Sequence, residues 1–89
     1  MINELVKKIR ERKDSNPDNS YTSALLSGGL NNCIDKLEEE FEELKEALNK
    51  KNNEVHEAAD LLYHLLVVLE AANVKFEDVL YELEKRKSQ

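Results

Sequence analysis

The chain has 89 residues, with 19 acidic against 13 basic side chains and a formal net charge of −6. That length accommodates one small domain, residues 1–89, with a modest core, and the acidic balance excludes general nucleic-acid binding, which needs a basic surface. Two glycines and one proline among many Glu, Lys, Leu and Ala residues predict an all-α fold, an antiparallel bundle of about four helices.

In chain order, Ile2, Leu5, Val6 and Ile9 recur at i, i+3, i+4 and i+7, which predicts an amphipathic helix over residues 2–12. The cations Lys7, Lys8, Arg10, Arg12 and Lys13 crowd its end, where the helix dipole favours positive charge. Asp14 to Thr22 reads as a polar loop around Pro17 with one aromatic, Tyr21. Ser20 or Thr22 is expected to cap a short helical piece over residues 23–26, which Gly28 and Gly29 then break. Ile34, Leu37, Phe41, Leu44 and Leu48 alternate by three and four, the seam of a second amphipathic helix over residues 31–49. Between them runs a series of glutamates from Glu38 to Glu46. By composition alone such a run is a solvated face paired with lysines, and Glu42, Lys45 and Glu46 are read that way.

Residues 49–53, NKKNN, predict a turn with Asn53 as N-cap of the third helix. The most apolar stretch of the chain, Glu57 to Ala72, lies there. Its Leu61, Leu62, Leu65, Leu66, Val67, Val68 and Leu69 leave no clear polar side, so part of its cover is expected from a second subunit. Asp60, His64 and Glu70 interrupt the stretch, which is too short and too polar to span a bilayer. Phe76, Val79, Leu80 and Leu83 mark a fourth helix, with Glu77 and Asp78 in its first turn and Lys85, Arg86 and Lys87 in its last. The charged N-terminus has no signal-peptide pattern, and the lone Cys33 reads as a small buried hydrophobe; a cytoplasmic location is expected.

Glu57, Asp60 and His64 are spaced three and four apart and share one helix face. A carboxylate in apolar surroundings needs a partner or a metal. The short turn makes the second and third helices antiparallel neighbours. At ~1.5 Å rise per residue, folding back near residue 51 brings Glu40 and Glu43 to within a few Å of the height of Glu57 and Asp60. Four facing carboxylates repel unless a divalent cation lies among them. Oxygen-only ligands suit Mg²⁺ or Mn²⁺ rather than Zn²⁺, and the remaining coordination positions take phosphate oxygens. The implied reaction class is metal-assisted phosphoryl chemistry with an activated water. His64 is read either as a satisfied core histidine or as a donor that orients a carboxylate or meets a phosphate. His56 is read as surface, and Tyr63 as packing with its hydroxyl at an edge.

Glu39-Glu40-x-x-Glu43 followed by Glu57-x-x-Asp60 resembles the signature of the MazG-like all-α nucleoside-triphosphate pyrophosphohydrolases. Within that superfamily the chain is similar to the phosphoribosyl-ATP pyrophosphohydrolase family. The similarity lies in Arg12–Lys13, in Pro17-x-x-Ser20-Tyr21-Thr22, in Leu25-Leu26-x-x-Gly29, in the run from Glu57 to Val67 and in D-V-L-x-E-L-x-x-R from Asp78 to Arg86. It covers roughly residues 4 to 86. The chain departs from the family where Glu38 takes a place commonly held by a small residue, often glycine.

The resemblance implies Mg²⁺-dependent hydrolysis of phosphoribosyl-ATP to phosphoribosyl-AMP and pyrophosphate, the second step of histidine biosynthesis, with water attacking the α-phosphorus. It implies Glu40, Glu43, Glu57 and Asp60 as metal ligands, and Glu39 as a further acid orienting water or a second ion. Arg12, Lys13 and Lys36 become phosphate contacts, and Ser20, Tyr21 and Thr22 ribose or phosphate contacts. It also implies a homodimer or higher homo-oligomer. Two alternatives stand beside it: a housekeeping nucleoside-triphosphate pyrophosphatase with the same metal site, and a non-catalytic helical dimerisation module in which Asp60 pairs with Lys36 or His64.

Overall fold

Each apolar periodicity becomes a helix. The computed structural model describes residues 1–87, which form α1 (Ile2–Arg12), a 3-10 turn (Pro17–Asn19), α2 (Tyr21–Ser27), α3 (Gly29–Lys50), α4 (Glu54–Ala71) and α5 (Phe76–Lys87), with no strand among the described residues. The bundle is all-α as expected, with the short piece after the loop standing as a fifth helix. That helix starts earlier than its apolar residues suggest. Ser20 Oγ accepts the N–H of Ser23 at 3.0 Å and pairs with Ser23 Oγ at 2.9 Å, so Tyr21 and Thr22 already lie in the first turn of α2 rather than in a loop.

The reversal between α3 and α4 uses two left-handed residues, Lys51 (φ 57°) and Asn53 (φ 65°). Asn53 stands at the N-cap position of α4 but makes no side-chain cap bond, contrary to the expected capping role. Its tolerance of positive φ serves the turn instead. Gly29 enters α3 at φ 88°, a conformation that side-chain-bearing residues rarely adopt. The helices α3 and α4 then run antiparallel and make the most extensive packing in the protein.

The core lies where α1, α2, α3 and α4 meet: Val6 and Ile9, Leu25, Cys33, and Leu66 with Val67. Cys33 is 1% exposed, as the sequence suggested, and its thiol donates to the Leu25 carbonyl at 3.3 Å. Burial pushes that thiol's pKa up. At the far end of α4 an ionic clasp holds α1 in place. The Arg10 guanidinium forks onto Glu77, with Nη1 2.9 Å from Oε2, and its Nε lies 3.5 Å from Glu70. Lys13 Nζ donates to the Glu70 carbonyl at 3.2 Å and to the Asn73 side chain.

One side of the hairpin stays bare. Leu37, Phe41, Leu61 and Leu65, with Glu38, line an open hollow of about 350 Å³, and Leu62 and Leu48 are half exposed. The apolar circumference of α4 is therefore only partly covered within one chain. No helix among the described residues is long and apolar enough to cross a membrane.

Leu66 is 4% exposed, and Leu66→Ala should lower unfolding stability by about 3 kcal/mol in denaturant titration, through lost transfer energy and the cavity left behind. The clasp carries a pH signature. Hydrogen bonding to Arg10 holds the Glu77 carboxyl at about 2, below its ordinary 4.5. A depressed carboxyl contributes stability that is present above the ordinary value and is lost as pH falls through the folded one. Glu77→Gln should therefore lower the Tm at pH 7, and its deficit against the wild type should shrink as pH drops from 4.5 towards 2.

Candidate metal and nucleotide site

The antiparallel hairpin places the expected carboxylates together. Glu40 and Glu43 lie one turn apart on α3, and Glu57 and Asp60 one turn apart on α4. Ligand-capable oxygens of Glu40, Glu43 and Glu57 lie within 4.8 Å of one another. A second group, His56, Glu57 and Asp60, satisfies the same limit and shares Glu57. The four carboxylates thus fall in two overlapping groups joined at Glu57, with Asp60 in the group that holds His56. Asp60 is 40% exposed at its side chain, with Oδ2 3.3 Å from His56 Nε2.

His56 is the residue that sequence reasoning left on the surface. Its ring is exposed, yet Nε2 also lies 3.9 Å from Glu57 Oε1. The spacing of four to Asp60 was the available signal.

The strip is electrostatically strained in the absence of a cation. The Glu40 carboxyl is raised above the ordinary range, first by desolvation and then by the charge of Glu43. The Glu57 carboxyl is raised first by desolvation and then by the closeness of Glu43. Glu40 Oε2 and Glu57 Oε2 are buried and have no hydrogen-bond partner among the described residues. Buried carboxylate oxygens are normally satisfied. Two such orphans in one group of close acidic oxygens fit a divalent cation of the hard, oxygen-preferring class, with His56 as the one nitrogen at the margin.

One turn further along α4, the hydroxyl-rich segment packs against Tyr63 and His64. Tyr21 Oη lies 3.2 Å from His64 Nε2, and His64 Nδ1 lies 2.8 Å from the Asp60 carbonyl. Thr22 Oγ1 and the Tyr63 hydroxyl are bonded to each other. The ring of Tyr21 stacks near that of Tyr63, with centroids 6.4 Å apart, and Tyr63 meets His64 edge-on at 5.1 Å. His64 is 5% exposed with both nitrogens used inside the protein, so it meets the description of a satisfied core histidine that also orders its neighbours. All three hydroxyls of Ser20, Tyr21 and Thr22 have partners within the chain. Tyr21 remains 58% exposed and lies within electrostatic reach of Lys36, Glu39 and Glu40. The Tyr63 bond to Thr22 had no signal in the spacing.

Of the expected cations, only Lys36 stands beside the strip, paired with the exposed Glu39 at 3.3 Å. Lys13 is tied to Glu70 and Asn73, and Glu70 is about 20 Å along α4 from Glu57 at 1.5 Å per residue. Arg12 ends the same helix. The fold does not bring these two to the carboxylates of the same chain. Glu42 with Lys45 and Glu46 with Lys50 form surface pairs at 3.6 and 2.5 Å, as composition suggested. A hollow of about 240 Å³ opens beside Glu43 and Glu57, walled by Lys50, Asn52 and Asn53.

The acid strip predicts a pH dependence opposite in sign to that of the clasp. A carboxyl whose pKa is raised on folding contributes stability at low pH that is lost as pH rises from its ordinary 4.5 through the raised value. In chelator-treated protein, Glu40→Gln should raise the Tm at pH 7, and the gain over wild type should vanish on acidification below 4.5.

Comparison with known proteins gives the family. The family profile described as phosphoribosyl-ATP pyrophosphohydrolase matches residues 2–87. A phosphoribosyl-ATP pyrophosphatase of Listeria welshimeri is 42% identical over 97% of this chain and 84% of its own length. A phosphoribosyl-ATP pyrophosphatase of Rhizobium etli is 42% identical over 91% of this chain and 78% of its own. One from Roseobacter denitrificans is 45% identical over 90% and 78%. With an all-helical fold, a carboxylate strip on an antiparallel hairpin and a family match along nearly the whole chain, this protein belongs to the phosphoribosyl-ATP pyrophosphohydrolase family.

Proposed function

We propose that this chain hydrolyses phosphoribosyl-ATP to phosphoribosyl-AMP and pyrophosphate, the second step of histidine biosynthesis, using Mg²⁺ (Mn²⁺ as a substitute) held by Glu40, Glu43, Glu57 and Asp60. The observation that carries the reading is the pair of buried, partnerless oxygens of Glu40 and Glu57 within one carboxylate group. The cation, when bound, neutralises triphosphate charge and lowers the barrier to water attack. The chain's own residues supply the remainder. Glu40, Glu43, Glu57 and Asp60 are the residues that would hold the cation between α3 and α4. Glu39, exposed beside Lys36, orients the attacking water or a second ion. Lys36 offsets charge on the phosphates.

In the reaction, an oxygen–phosphorus bond forms between water and the α-phosphorus, and the bond to the departing pyrophosphate breaks. The ligand carries a second phosphate on its phosphoribosyl arm, and Arg12 and Lys13, remote from the metal strip, are assigned to that end. Ser20, Tyr21 and Thr22, held by Ser23, His64 and Tyr63 respectively, contact ribose or phosphate. The bare face of Leu37, Phe41, Leu61 and Leu65 supports a homodimer or higher homo-oligomer in which a second copy covers it. Residues 1–89 then act as one catalytic domain, and a cytoplasmic setting suits a pathway of small soluble metabolites.

The decisive assay is pyrophosphate release from phosphoribosyl-ATP with Mg²⁺, with ATP and dUTP in parallel. Selective release from phosphoribosyl-ATP is expected. Comparable release from the simple triphosphates would keep the metal site and overturn the substrate assignment, and release from none would overturn the catalytic reading. Asp60→Asn should lower kcat by at least about 100-fold, and Glu40→Gln should abolish the Mg²⁺-induced rise in Tm seen in the wild type.

A further inference from the structure

The bond directions around His64 decide what Tyr21 can offer a ligand. The Asp60 carbonyl can only accept, and it lies 2.8 Å from His64 Nδ1, so Nδ1 carries the proton. In the neutral ring Nε2 is then a lone-pair acceptor. Its partner at 3.2 Å is Tyr21 Oη, whose proton must point at it. The phenol has one proton to give, and His64 takes it. What Tyr21 turns outward is a lone pair.

A phosphate oxygen is itself an acceptor and finds nothing to accept there. A sugar hydroxyl does find a partner, because it can donate. Tyr21 stands within electrostatic reach of Lys36, Glu39 and Glu40, so this acceptor lies close to the carboxylate strip. The ring is fixed as well as the hydroxyl, by its stack on Tyr63 and by the Thr22–Tyr63 bond at the next residue. Resting on the proposed activity, we infer that Tyr21 is a specificity-determining residue that accepts a hydrogen bond from a ribose hydroxyl of the nucleotide, and that His64 is the positioning residue that fixes it as an acceptor. The relay runs through three groups, from the Asp60 main chain through the imidazole to the phenol, so the sugar site is keyed to the same turn of α4 that carries a proposed metal-binding carboxylate.

The test compares phosphoribosyl-ATP with its 2′-deoxy and 3′-deoxy forms on the ATP ribose, and with the analogue lacking hydroxyls on the phosphoribosyl arm. Tyr21→Phe keeps the ring and removes the acceptor. It should raise KM for phosphoribosyl-ATP about 5-fold, the scale of one hydrogen bond, with kcat changed less than about 2-fold. On the one analogue that lacks the partner hydroxyl, the same substitution should cost nothing further. His64→Leu should flatten the discrimination between ribose and that deoxy form, and His64→Gln, whose amide oxygen can accept the phenol proton, should restore part of it.

An equal KM penalty on every analogue, or none on any, overturns the assignment. A loss in kcat without a change in KM places Tyr21 at the reacting phosphate and overturns it as well. Wild-type turnover of phosphoribosyl-ATP is the control on the activity itself. An inert wild type overturns the proposed function together with this inference, whereas an active wild type with an unaltered Tyr21→Phe variant overturns this inference alone.

Discussion

The structure depends on keeping several carboxylates close together and partly out of water. Glu40, Glu43 and Glu57 approach within 4.8 Å because the α3–α4 hairpin packs in one register, and the chain surrounding them supplies no cation to Glu40 Oε2 or Glu57 Oε2. Like charges so placed raise the free energy of the folded chain. The apolar burial of Leu66, Val67, Cys33 and Leu25 on the other side of the same helices holds them there regardless. The site is thus strained by the register of the hairpin, and that strain is what the proposed divalent cation would relieve.

The remaining elements position what surrounds the strip. The Ser20 cap begins α2 early enough to put Tyr21 and Thr22 on a helix turn facing Tyr63 and His64. A looser loop would offer the same hydroxyls without fixed direction. At the opposite end, Arg10 and Lys13 fasten α1 to the α4–α5 turn through Glu70, Asn73 and Glu77. Two ionic systems of opposite character therefore sit at the two ends of α4. One is matched in charge and holds its Glu77 carboxyl ionised far into acid; the other is unmatched and holds its carboxyls protonated more readily than usual. Only the unmatched one has reason to recruit a ligand.

Apolar surface is distributed by the same logic. The helices of one chain cannot surround α4, and Leu37, Phe41, Leu61 and Leu65 remain open beside the acid strip. For a chain of 89 residues this is the expected consequence of a high surface-to-volume ratio.

Much of this was legible in the residues. Period-3.6 spacing of apolar side chains gave the long helices, because helix formation and amphipathic burial are governed by near neighbours. The short NKKNN turn fixed the antiparallel pairing, and with it the height of Glu40, Glu43, Glu57 and Asp60. Hydrogen-bond direction and long-range side-chain partners were beyond reach, because spacing along one helix says nothing about which atom of another helix faces it. The Tyr21–His64 and Thr22–Tyr63 bonds and the tie of Lys13 to Glu70, away from the carboxylates, all join residues from different elements. Asn53 illustrates the same limit on a local scale: its residue type suits both a cap and a left-handed turn, and the closure of the hairpin chose the turn. By itself the sequence determined an acidic all-α chain with a carboxylate strip on one hairpin. Tertiary packing alone decided which of those carboxylates lose their water, and which polar groups are left to meet a ligand.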